Sequence, residues 1–281
     1  MSGPSPASSP QAALHALHAL TRQAEGLWQA VYPLWPDFSV EVLPSIDSTN
    51  TALMQRARAG DRAPTLLVAL EQSAGRGRRG KSWHSQPGAS LTFSLGLPYQ
   101  PADWSGLSLA VGVSLAESLH PEIRLKWPND LWWRGRKLGG ILIEAATLGA
   151  QRYAVIGVGL NVELPELPAW SPVPLDEAAT QALPPVPPAA LCELDPSRDA
   201  GQWLAALVPA LVQDLQAFER AGFAAFAARF AARDALAGLE LRLSDGQEGQ
   251  AAGVGPDGAL RLRTGTGLID ITSAEVSVRP R

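Results

Sequence analysis

The chain has 281 residues, of which 46% are apolar and 18% charged, a balance that allows one large and one small globular unit and a substantial core. A net charge of -4 gives no general attraction to nucleic acid or to an anionic membrane, so neither is expected as a partner. The single cysteine, Cys192, excludes an internal disulfide framework and a cysteine metal cluster, reads as inert, and agrees with a reducing, cytoplasmic setting.

In chain order, residues 1–10 are rich in Ser, Pro and Gly, read as disordered, and lack the charged start and long apolar core of a secretory signal. No run reaches membrane-spanning length. Residues 12–31 place Leu14, Leu17, Leu20, Leu27 and Val31 at helical spacing, which makes residues 1–37 an N-terminal extension with a short helix. His15 and His18 stand three apart on that helix with no third ligand in view, and read as ordinary surface side chains. Residues 38–43 alternate as a strand. Ser45 to Asn50 offer capping residues for a helix that Gly60 would end, which sets Ser48 and Thr49 at its start. Residues 65–70 read as a second, apolar strand.

Gly75-Arg76-Gly77-Arg78-Arg79-Gly80-Lys81-Ser82 follows, with four cationic side chains and three glycines. Each like-charge pair at roughly 7 Å in water costs on the order of half a kcal/mol, so the sequence predicts a loop that is mobile alone and ordered around an anion. The stretch satisfies both the dinucleotide pattern, through Gly75, Gly77 and Gly80, and the phosphate-loop pattern ending at Lys81-Ser82. Both patterns require the loop to open a helix. Here Trp83 to Gly88 contains Pro87 and Gly88, which disfavour a helix, and residues 90–95 alternate like a half-buried strand. The loop therefore lies between strands, and a P-loop nucleotide hydrolase is the more distant alternative.

Residues 105–119 form an amphipathic helix, and residues 123–128 a strand that stops at Pro128 with Lys126 at its end. Residues 131–133 and 138–145 flank Arg134-Gly135-Arg136 as a hairpin, and residues 153–162 add an apolar strand. Gly139 and Gly140 fit either tight packing or close approach of backbone to a ligand. From 164 to 188 prolines accumulate and periodicity is lost, as in a surface connection. Residues 202–220 and 223–233 read as helices, and Gly238 marks a boundary. Short strands over 239–243, 250–254, 260–263 and 268–271, separated by Asp245-Gly246 and Asp257-Gly258, predict a small barrel.

The glycine-arginine loop, with Glu71-Gln72-Ser73-Ala74 before it and Trp83 after it, resembles the signature loop of biotin protein ligases. Three further stretches resemble that family in the same order. They are Asp47-Ser48-Thr49-Asn50, Lys126-Trp127-Pro128-Asn129-Asp130, and Lys137 to Glu144 leading to Gly157-Val158-Gly159-Leu160-Asn161. The resemblance covers about residues 45–161, and beyond it only the general pattern matches. It implies an α+β fold: a mixed-sheet catalytic domain of the biotin/lipoate ligase type over 38–235 and a C-terminal SH3-like β-barrel over 236–281. Some members carry an N-terminal winged helix that binds DNA. The chain before Phe38 has room for one or two helices, so an enzyme without that module is expected.

The reaction implied is ATP-dependent biotinylation of a lysine on the biotin carboxyl carrier protein of acetyl-CoA carboxylase through biotinyl-5'-AMP, with Mg2+ carried by the nucleotide phosphates. A lipoate-type protein ligase is the nearer alternative, and a homodimer is left open. By resemblance, Ser48, Thr49, Asn50, Gln72, Gly75, Gly139 and Gly140 would hold biotin, its ureido ring meeting hydroxyls and an amide that both donate and accept. Lys126 and Arg76 would belong to the same biotin set and be the catalytic candidates, in contact with the reacting carboxylate and the α-phosphate. Arg78, Arg79, Lys81, Trp83, Asn129, Lys137 and Asn161 would serve the nucleotide. Trp170 is a candidate to stack on adenine, and Asp130 a weak one to hold metal.

Overall fold

A computed structural model describes residues 10–164, 187–272 and 278–280. The expectations for residues 1–9, for most of the 164–188 connection and for Trp170 fall outside the described residues.

Helix α1 (Pro10–Val31) turns Leu20, Leu27 and Val31 inward and leaves His15 and His18 exposed, as its leucine spacing predicts, whereas Leu17 is half-buried and Leu14, near the start, is exposed. It packs on α4 (Ala200–Ala221) and on β1 (Ser39–Ile46). Strand β1, helix α2 (Thr49–Arg58) and strand β2 (Thr65–Gln72) form a crossover in which β1 runs parallel to β2, Val40 opposite Leu66 and Ile46 opposite Gln72. The parallel register brings the two strand ends together. Ser73 N–H donates to Ile46 O at 2.9 Å and Ala74 N–H to Asp47 O at 2.9 Å, so the start of α2 and the glycine-arginine loop leave the sheet side by side.

Strand β3 (Ser90–Pro98), helix α3 (Leu107–Leu119), β4 (Arg124–Lys126), β5 (Asp130–Trp133), β6 (Arg136–Leu148) and β7 (Gln151–Asn161) complete a seven-stranded sheet in the order β1-β2-β3-β7-β6-β5-β4. All pairs but β1–β2 are antiparallel. The turn between β5 and β6 sets Arg134 and Gly135 at φ 49° and 75°, the double positive φ of a tight hairpin turn. Alternation along β2 explains the layers. Leu66, Val68 and Leu70 join one large core with α1, α3 and α4, whereas Leu67 packs with Leu53, Met54 and Ala57 of α2 on the opposite face.

The helical pattern over 223–233 yields less helix than expected. Gly222 at φ 63° ends α4, a 3-10 turn follows over Gly222–Ala225, and α5 spans only Ala227–Ala231. Phe223, Phe226 and Phe230 are buried, so their spacing records packing rather than a continuous helix.

The C-terminal strands β8 (Glu240–Leu243), β9 (Glu248–Val254), β10 (Leu260–Thr264), β11 (Gly267–Ile271) and β12 (Val278–Pro280) pair antiparallel in the order β11-β10-β9-β8-β12. Among the described residues no pairing joins β11 to β12, so the small β unit is an open sheet there. β12 was not legible in the sequence. Gly246 and Gly258 take φ 89° and 78° in the expected turns. The second of these turns reaches the main sheet, because Trp127 Nε1–H donates to Gly258 O at 3.0 Å.

Candidate active site

A cavity of about 310 Å³ opens where α2 begins, between the glycine-arginine loop, the residues after β4, and the middles of β6 and β7. Its floor is neutral and polar. Thr49 N–H and Oγ1–H lie 2.8 and 3.0 Å from Gln72 Oε1, and Thr49 Oγ1 lies 2.7 Å from Ser94 Oγ. Ser94 donates to Asn50 Oδ1 at 2.6 Å, and Asn50 Nδ2 donates to Leu142 O at 3.2 Å and to Glu144 Oε2 at 2.9 Å. Ser48, Thr49, Asn50 and Ser94 are all buried. A buried network in which each member has partners fixes side-chain orientation, so this floor is preorganised. Ser48 Oγ makes only a weak cap, 3.4 Å from Thr51 N, and is the hydroxyl most ready for a ligand.

The polar positions of β3 thus have a different place from the one their alternation suggests. Residues 90–95 read as half-buried, yet both faces of β3 are buried, because the start of α2 covers Ser94 while Thr92 donates to Ala69 O at 2.7 Å.

The walls are cationic. Arg76, Arg78, Arg79, Lys81, Lys126 and Lys137 line the cavity and Asp130 is the acidic residue among the lining set, a local excess of positive charge in a chain that is acidic overall. Lys126 is buried at the end of β4 with Nζ 5.1 Å above the Trp132 ring, an arrangement that holds an ammonium out of bulk water. Lys137 Nζ donates to Asp130 Oδ1 at 2.7 Å. Burial lowers the pKa of Arg78, opposed by the nearby Asp130 carboxylate and assisted by Arg79. Such a cationic cluster fits phosphate and carboxylate oxygens.

The loop itself is a closed hairpin and does not open a helix. Trp83 N–H donates to Gly75 O at 2.9 Å and Gly77 N–H to Lys81 O at 2.6 Å, with Arg76 opposite Ser82. Its tip is a 3-10 turn, Arg78–Gly80, with Arg79 at φ 59°. Arg76 points back onto the sheet, where Nη2 donates to Glu144 Oε2 at 2.7 Å. Trp83 lies over Gly159, where an added Cβ would meet the indole at 2.5 Å, and its Nε1–H is buried without a partner among the described residues.

Residues 42–161 match the Biotin/lipoate A/B protein ligase family, and residues 240–279 match the Biotin protein ligase C terminal domain. The chain is 33% identical over 260 residues to the bifunctional ligase/repressor BirA of Escherichia coli, covering 86% of this chain and 74% of that protein. It is 33% identical over 254 residues to the biotin–[acetyl-CoA-carboxylase] ligase of Mycobacterium tuberculosis, covering 84% of this chain and 88% of that one. The chain belongs to the biotin/lipoate A/B protein ligase family. The fold agrees: a biotin protein ligase from Aquifex aeolicus, solved with biotin and ATP, superposes with a TM-score of 0.71 at 27% identity over 86% of this chain and 99% of that one.

For this ligase, the sequence-predicted residues divide into two groups. Ser48, Thr49, Asn50, Gln72, Arg76, Arg78, Arg79, Lys81, Trp83, Lys126, Asn129, Lys137 and Gly140 line one cavity. Gly75, Gly139 and Asn161 do not. A side chain at Gly75 would run into the Trp83 carbonyl, and one at Gly139 into the Gly159 carbonyl and Leu160, so both glycines let backbone segments meet. Asn161 Nδ2 donates to Ala189 O at 2.9 Å and ties β7 to the segment after Pro187. Asn129 lines the cavity but also grips β6, through Nδ2–H to Ile141 O at 2.8 Å and Ile141 N–H to its own carbonyl at 3.0 Å. Ser94, Gly157 and Gly159 were not singled out as site residues, and Glu144 was given no role although it closes the Lys137 stretch. Their signal is a polar or glycine position on a strand whose partner lies far away in sequence.

Among the described residues, no group of three or more His, Cys, Asp or Glu side chains is placed to hold a metal ion, and no helix is long and apolar enough to cross a membrane. Asp130 is engaged by Lys137, which leaves it poorly suited as a metal ligand.

Proposed function

We propose that this protein condenses biotin with ATP to biotinyl-5'-AMP and then biotinylates one lysine of a biotin carboxyl carrier protein, that of acetyl-CoA carboxylase. The observation that carries the reading is the pairing, in one cavity, of a fixed neutral polar floor with six cationic walls. A ureido ring is uncharged and needs donors and acceptors together, which Ser48, Thr49, Asn50 and Gln72 supply. The other end of biotin is a carboxylate, and it must approach a triphosphate.

In the first step a biotin carboxylate oxygen forms a bond to the α-phosphorus and pyrophosphate leaves with the electron pair of the broken P–O bond. In the second, a carrier lysine, as the free amine, forms a bond to the acyl carbon, AMP leaves with the electron pair of the broken C–O bond, and the amine nitrogen gives up one proton to solvent or to the departing phosphate. No protein nucleophile is required. Charge accumulates on phosphoryl oxygens in the first transition state and on the acyl oxygen in the second, and preorganised cations out of bulk water stabilise both. Lys126 at the end of β4 and Arg76 on the loop serve the carboxylate and α-phosphate. Arg78, Arg79, Lys81, Trp83, Asn129 and Lys137 serve the nucleotide side, and Asn161 acts from outside the cavity by tying the end of β7 to the segment that carries Ala189. Mg2+ bound to the ATP phosphates would supply charge neutralisation there, and no side chain of this protein is assigned to hold it. The extension over 1–37, the catalytic domain over 38–235 and the C-terminal unit over 236–281 are the division we assign.

The test is an intact-mass measurement. Incubation with biotin, ATP and an unmodified carrier domain is expected to add one biotinyl group to one carrier lysine, and Lys→Arg at that lysine should abolish the gain. No gain, or a gain spread over many lysines at equal rate, would contradict transfer to a specific carrier.

A further inference from the structure

Glu144 has no part in the reaction as described, yet its carboxylate joins two pieces of the site. Oε2 accepts from Asn50 Nδ2 at 2.9 Å and from Arg76 Nη2 at 2.7 Å. Asn50 belongs to the rigid floor at the start of α2, and Arg76 to a loop whose four cations repel one another and whose three glycines leave its backbone unconstrained. The pair is only half-buried, with Arg76 45% and Glu144 29% exposed, so it can open. The loop hairpin is closed by Gly77 to Lys81 and Trp83 to Gly75, and this ion pair is a side-chain tether from it to β6.

We infer that Glu144 is a positioning residue, a latch that holds the glycine-arginine loop shut over the cavity through Arg76 while fixing Asn50 beneath it. Nη2 is engaged by Glu144 while Arg76 also lines the cavity, so its other N–H groups are within the lining set that can serve a ligand. A single carboxylate thereby couples recognition of the neutral ring to retention of whatever anion the loop covers. The retention half of the inference rests on the adenylate chemistry proposed above, and the latch half does not.

The experiment compares wild type with Glu144→Gln and Arg76→Ala. Glutamine keeps an oxygen for Asn50 and removes the ionic hold on Arg76; Arg76→Ala cuts the same link from the exposed side, where folding is not at stake. Without ligand, hydrogen exchange at the Gly77 and Trp83 amides should quicken about tenfold in both variants and in the double variant alike, with the α2 amides unchanged. With biotin and ATP, release of preformed biotinyl-5'-AMP should rise about tenfold in Glu144→Gln and at least as much in Arg76→Ala, which also loses its own contact to the covered anion, with the double variant no leakier than Arg76→Ala, while the KM for biotin in Glu144→Gln stays within about threefold. Unchanged loop exchange in Glu144→Gln overturns the latch. Effects of the two substitutions that multiply overturn the coupling through one contact. A raised KM for biotin with unchanged release would make Glu144 a support for Asn50 alone and also overturns it. If wild type makes no adenylate, the proposed function fails and the exchange arm still decides the latch.

Discussion

Lys126→Ala is expected to slow formation of biotinyl-5'-AMP by about two to three orders of magnitude, the range measured when one preorganised charge-stabilising donor is removed from an active site. The ammonium is buried, held above the Trp132 ring, and placed at the end of β4 where the cavity wall turns cationic. It acts where charge develops and not where the neutral ring binds, so biotin affinity should change by no more than about threefold. Single-turnover adenylation and equilibrium biotin binding, measured separately, check this. Collapse of affinity with a normal rate in the bound fraction would make Lys126 a binding residue only.

Gly157→Ala is expected to disable the ring-binding floor from behind. An added methyl there would overlap the Asn50 amide, with Cγ at 2.9 Å and Oδ1 closer still, and the central strand β7 leaves the backbone no room to yield. Asn50 must swing away, which breaks its bonds to Leu142, Glu144 and Ser94. Three bonds at about 1 kcal/mol each amount to about 3 kcal/mol of folding stability, and with Asn50 displaced from the floor biotin binding should weaken by about tenfold or more. ATP binding should change little. The melting temperature should fall as well, and Asn50→Ala in the same chain should restore much of it, because the collision is then gone. A double variant no more stable than Gly157→Ala alone would show that the methyl clashes elsewhere.

Much of the fold could be read along the chain. The alternation of the sheet strands, the Arg134-Gly135 turn and the Asp-Gly turns of the C-terminal sheet are local signals, and each appears where local chemistry puts it. Residues that line the cavity were legible because they stand in contiguous stretches at element ends, as with Ser48 and Thr49 at the start of α2 and Lys126 at the end of β4. What escaped depends on distant pairing. Ser94 looks solvent-facing until α2 covers it, and Glu144 gains a role only when Asn50 and Arg76 arrive from 94 and 68 residues away. The contact of Trp127 with Gly258 spans 131 residues and shows that the C-terminal turn braces the segment carrying Lys126, which no local pattern could state. The short α5 failed for the opposite reason, since buried phenylalanines three and four apart suit a 3-10 turn and an α-helix equally.

The central claim is that the cationic cavity joins an acid to the α-phosphate of ATP and that the acid is biotin. Exchange of labelled pyrophosphate into ATP, with no carrier present and with biotin or lipoate as the sole added acid, tests it most directly. The account predicts exchange that depends on biotin, persists at a large excess of lipoate, and falls by about a hundredfold or more in Lys126→Ala. Exchange supported equally by lipoate, or ATP turnover that proceeds without any acid, would contradict it.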